Sequence, residues 1–225
     1  VNRRTDIHYP RPRVASITQA TEIGTVYRVD ELAAVGAEVR QWGLYLHMDG
    51  ARFANAVAST GATPAELSWK CGVDVLSLGG TKNGLQFGEA VIFFNRKLAE
   101  DFDCRCKQGG QLASKMRFIS GPWRAILRDG VWLNNARHAN QAARELAARL
   151  REIPECRILF PVEANSVFVE LPEAVQAGLR RRGWLFYNFI GSGGARLMCS
   201  WDTQESTIAE FVADLKAELS SLAES

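Results

Sequence analysis

Lys82 and Asp49 are the residues of this sequence best placed to do chemistry. Lys82 lies in Gly79-Gly80-Thr81-Lys82-Asn83-Gly84, a loop of glycines and small polar residues between two apolar runs, Val73–Leu78 and Ala90–Phe94. Asp49 ends a third apolar run, Leu44–Met48, and is followed by Gly50, Ala51 and Arg52. Strands this apolar are usually covered on both faces, and their ends open into the crevices where α/β folds bind ligands. A lysine held there loses hydration, lowers its pKa and becomes a Schiff-base nucleophile. A solvated loop lysine would have the same surroundings in sequence, so both readings stand at this point.

In a parallel sheet the positions just after the strands lie on one edge, so Asp49 and Lys82 can share a crevice. A carboxylate and an imine-forming lysine together are the parts that pyridoxal 5′-phosphate requires. The lysine holds the cofactor and the aspartate keeps the pyridine nitrogen protonated. A surface salt bridge would use the same residue types. Ala51 is small enough for a flat ring to lie against it, and is equally a core alanine. Arg196, within Ala195-Arg196-Leu197-Met198, is either an edge residue facing solvent or a buried fork awaiting a carboxylate. By pattern, His8 and His138 read as structural or surface histidines, and Arg180-Arg181-Arg182 as a solvated helix C-terminus.

The elements that must position these residues alternate. Val14–Ile17 reads as a strand, and Asp30 caps a helix running to about Trp42. The strand Leu44–Met48 follows, then a helix from near Phe53. Thr63-Pro64-Ala65-Glu66 has the form of a capping box opening a helix to about Cys71. The strand into the Lys82 loop and the strand Ala90–Phe94 complete the grammar of a parallel α/β sheet. Beyond the connection near residues 105–122, one long helix is expected from about Trp123 to Arg151. Strands near Ile158–Phe160, Ser166–Leu171, Leu185–Asn188 and Ala195–Cys199 alternate with a helix after Pro172 and a final helix to about Leu222. The expected organisation is a large α/β domain over residues 1–110, then a connecting helix and small α+β domain over 111–225.

Composition excludes several functions. The 225 residues are 47% hydrophobic and 23% charged, values of an ordinary globular protein, with a formal net charge of +2 that offers nothing to nucleic acid or an anionic membrane. No apolar run reaches the length of a membrane span. The five cysteines form no C-x-x-C pair and the three histidines are far apart, so reduced thiols of a cytoplasmic protein are expected rather than a disulfide framework or metal site. The start at Val1, in a stretch with Asn2-Arg3-Arg4, leads to the expectation of a chain cut from a longer enzyme.

The run His47-Met48-Asp49-Gly50-Ala51-Arg52-Phe53-Ala54-Asn55-Ala56 resembles the signature of the threonine aldolases, within the larger group of aldolases and β-eliminating lyases. Ser77-Leu78-Gly79-Gly80-Thr81-Lys82-Asn83-Gly84 is similar to the cofactor-lysine segment of bacterial low-specificity L-threonine aldolases. Ser16-Ile17-Thr18-Gln19-Ala20-Thr21-Glu22 and Gly194-Ala195-Arg196-Leu197-Met198-Cys199-Ser200-Trp201-Asp202 extend the likeness over nearly the whole chain. The resemblance implies a pyridoxal-phosphate enzyme of the aminotransferase-like fold, its large domain partial, acting on a small amino-acid substrate as a homodimer or homotetramer. It implies Lys82 as the cofactor lysine and Asp49 as partner of the pyridinium. It also implies Arg52 and Arg196 as holders of the substrate carboxylate, and His8 as a residue near the substrate hydroxyl. The expected reaction is cleavage of L-threonine or a related β-hydroxy-α-amino acid to glycine and an aldehyde. The alternatives are a β-eliminating lyase or aminotransferase on the same fold, and an inactive truncated subunit acting as an interaction module. The family's N-terminal part, with its phosphate-binding loop and ring-stacking residue, has no counterpart before Val1.

Overall fold

The apolar runs around Asp49 and Lys82 become neighbouring strands. Val14–Thr18 (β1) pairs with Tyr45–Gly50 (β2), and β2 with Val75–Leu78 (β3), all parallel and in that order. The computed structural model describes residues 6–190 and 194–223; the Val1 to Arg4 stretch lies outside the described residues. Ala90–Phe93 (β4) completes the sheet but runs antiparallel to β3. The expectation of a parallel partner fails there because the link from Gly79 to Glu89 holds only a short turn, and a parallel return needs a longer crossover.

Helices Val29–Gln41 (α1) and Phe53–Thr60 (α2) supply the crossovers between the parallel strands and their flank. Asp30 lies inside the first turn of α1 rather than capping it, and the Glu31 carboxylate accepts the Arg28 N–H at 2.8 Å. The capping contacts of Thr63 and Glu66 form, at 2.6 Å between Thr63 Oγ1 and Glu66 Oε2, but the helix expected to follow is only the 3₁₀ turn Trp69–Cys71. Ser68 leaves the helical region (φ −143°, ψ −107°), and Gly72 at φ 94° stops the turn. Leu32, Leu46, Met48, Phe53, Leu76 and Leu78 belong to one buried core, against one face of the sheet. The other face carries Ser16, His47, Asp49 and Ser77, none of them buried.

Phe102–Gln108 (α3) and Arg117–Leu127 (α4) were not anticipated as separate helices, and the long helix is Val131–Arg151 (α5), 21 residues. The continuous helix expected over 123–151 is broken at Asp129 (φ 56°) and Gly130 (φ 72°), where the backbone turns left-handed.

Arg157–Ile158 (β5), Ser166–Glu170 (β6), Tyr187–Ile190 (β7) and Gly194–Met198 (β8) form a second sheet in the order β5-β6-β8-β7, with every pairing antiparallel. Glu173–Arg181 (α6) and Glu205–Ala223 (α7) pack with α5 on a second core that includes Leu150, Val167, Leu179, Ala195 and Leu215. The Arg180–Arg182 run is not simply solvated: Arg182 bonds Asp214 at 2.8 Å and Glu218 at 2.6 Å, tying α6 to α7. Among the described residues no helix is long and apolar enough to cross a membrane.

Candidate active site

Thr18, Asp49 and Ser77 stand side by side in register at the C-terminal ends of β1, β2 and β3. The Asp49 backbone carbonyl accepts the Gln19 N–H at 2.8 Å, and its Oδ1 accepts the Ala51 N–H at 2.9 Å. The side chain is thereby fixed by the chain's own turn, and its Oδ2 has no hydrogen-bond partner among the described residues. Gln19, fully buried, exchanges both hydrogen bonds with the backbone of Tyr27 and anchors the loop that leaves β1.

The Lys82 turn packs directly on this group. The Gly79 N–H donates to Gly50 O at 2.9 Å, and a Cβ at Gly79 would collide with the backbone of Ala51. Only glycine lets the chain leaving β3 pass so close to Ala51, two residues beyond Asp49. Lys82 itself lies in the 3₁₀ turn Thr81–Asn83 with its side chain exposed. Asn83 beside it is buried: its Nδ2 donates to Trp132 O at 2.9 Å, and its carbonyl accepts from Asn135 Nδ2 at 3.0 Å. Helix α5 supplies both contacts. The same helix holds α2 through Asn140, whose Oδ1 accepts from Asn55 Nδ2 at 2.9 Å while its own Nδ2 donates to Asn55 O at 2.9 Å. The structure therefore gathers Asp49, Ala51 and Lys82 on one sheet edge, as their spacing indicated.

Arg52, just past β2, and Arg196, in the second sheet, lie near enough for their charges to interact. Arg52 caps the start of α2; Arg196 sits in β8, only 7% exposed, so of its two readings the buried one holds. Burial pushes the Arg52 guanidinium below the usual arginine value and the like charge of Arg196 adds to this, with Glu22, Tyr187 and Asp49 opposing. The Arg196 Nη1 donates to the Tyr187 hydroxyl at 2.9 Å, and its guanidinium lies 5.1 Å from the Phe189 ring centre and 5.8 Å from that of Phe168. The Nε atoms of both arginines are buried with no hydrogen-bond partner among the described residues. Two guanidinium groups near enough to feel each other's charge thus each keep a buried donor without a partner among the described residues.

His8 is exposed, and its backbone N–H makes a local hydrogen bond to Asp6 Oδ1 at 3.2 Å. His138 bonds Thr203 O at 2.8 Å, a structural role. Tyr187, Gln19 and Asn83, which hold Arg196, the loop after β1 and the Lys82 turn in place, were not singled out from sequence. Only the Asn83-Gly84 pair gave a turn signal, and it said nothing of a buried amide.

A family model described as Beta-eliminating lyase matches residues 1–174. The chain belongs to this family. A low specificity L-threonine aldolase of Pseudomonas sp. (strain NCIMB 10558) is 61% identical over 218 residues, covering 97% of this chain and 63% of that protein. The corresponding protein of Pseudomonas aeruginosa is 60% identical over 214 residues, covering 95% of this chain and 62% of its own length. The chain thus spans less than two thirds of the curated relatives it matches. A solved structure of Leishmania major threonine aldolase superposes with a TM-score of 0.86 at 31% identity, over 94% of this chain and 63% of that one. The fold is accordingly the aminotransferase-like one that the sequence resemblance implied.

Proposed function

We propose that this chain carries the lysine, aspartate and carboxylate-binding elements of a pyridoxal-phosphate-dependent lyase that cleaves L-threonine and related β-hydroxy-α-amino acids to glycine and an aldehyde. The observation that supports this most directly is the pair of unpaired, buried arginine donors beside Asp49. An α-amino acid brings one carboxylate, and that group suits the two forks. The names of the Pseudomonas relatives support the choice of substrate class.

The residues present fit the cofactor by type: an exposed lysine in the turn after β3 and a carboxylate at the end of β2, its Oδ2 without a hydrogen-bond partner among the described residues, stand at the same edge of the sheet, where Gly79 packs on Ala51. When bound, pyridoxal 5′-phosphate supplies an electron sink for the pair left when the Cα–Cβ bond breaks. Lys82 is the residue that holds it covalently. Asp49, oriented by the Ala51 N–H, keeps a proton on the ring nitrogen. Arg52 and Arg196 hold the substrate carboxylate, and by doing so orient the bond to be broken. The β-hydroxyl proton passes to His8 or to an ordered water. We read the assembly as a homodimer or homotetramer and the protein as cytoplasmic; its free cysteines support the latter.

Borohydride reduction with pyridoxal phosphate, followed by peptide mapping, tests the cofactor assignment. The adduct is expected on Lys82, and its absence there sinks the assignment. Product analysis with L-threonine then separates glycine plus acetaldehyde from the keto acid of a β-elimination or transamination.

A further inference from the structure

We propose that Glu89 is a positioning residue for Lys82, an inference that rests on reading Lys82 as the cofactor lysine. Glu89 stands one residue before β4, just beyond the final pair of the β3–β4 ladder, Leu78 with Ala90. Its carboxylate reaches across the mouth of the Lys82 loop. Oε2 accepts the Gly80 N–H at 2.7 Å and Oε1 faces the Thr81 N–H at 3.4 Å.

These N–H groups open the 3₁₀ turn that carries Lys82, and the leading N–H groups of a helical turn have no acceptor within it. Ordinarily the side chain at the cap position supplies one. Here that position is Gly80, and it must be glycine: a Cβ there would lie 2.6 Å from Trp123 Cζ2 and from Leu85 Cδ1, and 2.8 Å from Gly88 O. Close packing of the loop under Trp123 therefore removes the local cap. Glu89, nine positions on in sequence, replaces it with a charge-assisted acceptor.

The far side of the turn is held independently. The Asn83 N–H donates to Gly80 O at 3.0 Å, and the Asn83 side chain is tied to α5. Lys82 thus sits between a residue clamped by α5 and a pair of amides clamped by Glu89, its own side chain exposed. Such a two-sided clamp fixes the direction in which the lysine leaves the turn, which matters because a displacement of about 1 Å at a reacting group can cost on the order of a hundredfold in rate.

The test compares the wild-type protein with Glu89→Ala and Glu89→Gln. Residue-resolved amide exchange by NMR reads the clamp, and the rate of borohydride-fixed pyridoxal phosphate incorporation at Lys82 reads its consequence. In Glu89→Ala the Gly80 and Thr81 amides are expected to exchange at least about tenfold faster while those of β6 and β8 are unchanged. Lys82 labelling is expected to slow about ten- to hundredfold. Glu89→Gln, which keeps an acceptor oxygen, should recover much of both. Unchanged exchange at Gly80 and Thr81 overturns the clamp, and faster exchange with undiminished labelling overturns the role toward Lys82. Absence of label on wild-type Lys82 overturns the cofactor reading and the positioning role with it, while the exchange data still report whether Glu89 holds the turn.

Discussion

Tyr187 and Arg196 pair across β7 and β8, and the Tyr187 hydroxyl accepts a 2.9 Å hydrogen bond from Arg196 Nη1. That bond fixes the guanidinium, while its buried Nε has no hydrogen-bond partner among the described residues and, on the proposed reading, receives the substrate carboxylate. Arg196→Lys exchanges a planar fork for a point donor and loses bidentate recognition. The expected result is a KM for L-threonine raised about ten- to hundredfold, matching the roughly 1.5–3 kcal/mol of a charged hydrogen bond, with kcat less affected. Tyr187→Phe removes one hydrogen bond worth about 1 kcal/mol and should raise KM about fivefold. Steady-state kinetics on both variants measure this; unaltered KM values would contradict the carboxylate role.

The shared edge of Asp49 and Lys82 was legible because each follows an apolar run, and parallel strands put such positions side by side. The meeting of Arg52 with Arg196 was not, since it depends on how the second sheet packs against the first. Tyr187 fell inside the expected strand Leu185–Asn188, but its pairing with Arg196 is a matter of register between two strands, which the pattern of either one does not give; Leu185 itself is 96% exposed, and β7 begins only at Tyr187. The apolar pattern of residues 123–151 continued through Asp129-Gly130, so periodicity outvoted a turn signal that the backbone obeys. Glu89 carried no signal at all, because its role follows from a collision at Gly80 that only packing reveals.

Lys82→Ala should abolish covalent retention of pyridoxal phosphate while leaving the fold intact, because the lysine side chain is exposed. Asp49→Asn keeps the shape but removes the charge that, on the proposed reading, would hold the ring nitrogen protonated, and a loss of on the order of a hundredfold in kcat is expected. The two variants should part in the trapping assay, Asp49→Asn still labelled at Lys82 and Lys82→Ala not.

The reciprocal amide pair Asn55–Asn140 is buried, with each residue 3% exposed or less. Asn140→Leu leaves the Asn55 side-chain N–H and backbone carbonyl without those partners, and roughly 2–3 kcal/mol of destabilisation is expected. Because Asn140 shares α5 with the contacts to Asn83, the same variant should also slow cofactor attachment at Lys82. Urea unfolding gives the first effect as a lower midpoint at unchanged slope, and the trapping rate gives the second.

Burial pushes the Cys199 thiol up to about 12, with the charge of Glu145 adding to it, and Cys156 up to about 11. In the native protein both stay protonated where an unfolded cysteine, whose ordinary value is 9.0, begins to ionise. The folded state therefore binds more protons than the unfolded one above that value. The stabilisation is fully present below pH 9 and is lost as pH rises towards 12, at no more than about 1.4 kcal/mol per pH unit for each thiol. Urea melts between pH 8 and pH 11 should show the fall, and Cys199→Ala should flatten part of it. A thiol reagent at pH 8 should modify exposed Cys104 in the native protein and reach Cys199 only after unfolding. Prompt native-state modification of Cys199 would mean that β8, and with it Arg196, is far less firmly packed than its burial indicates.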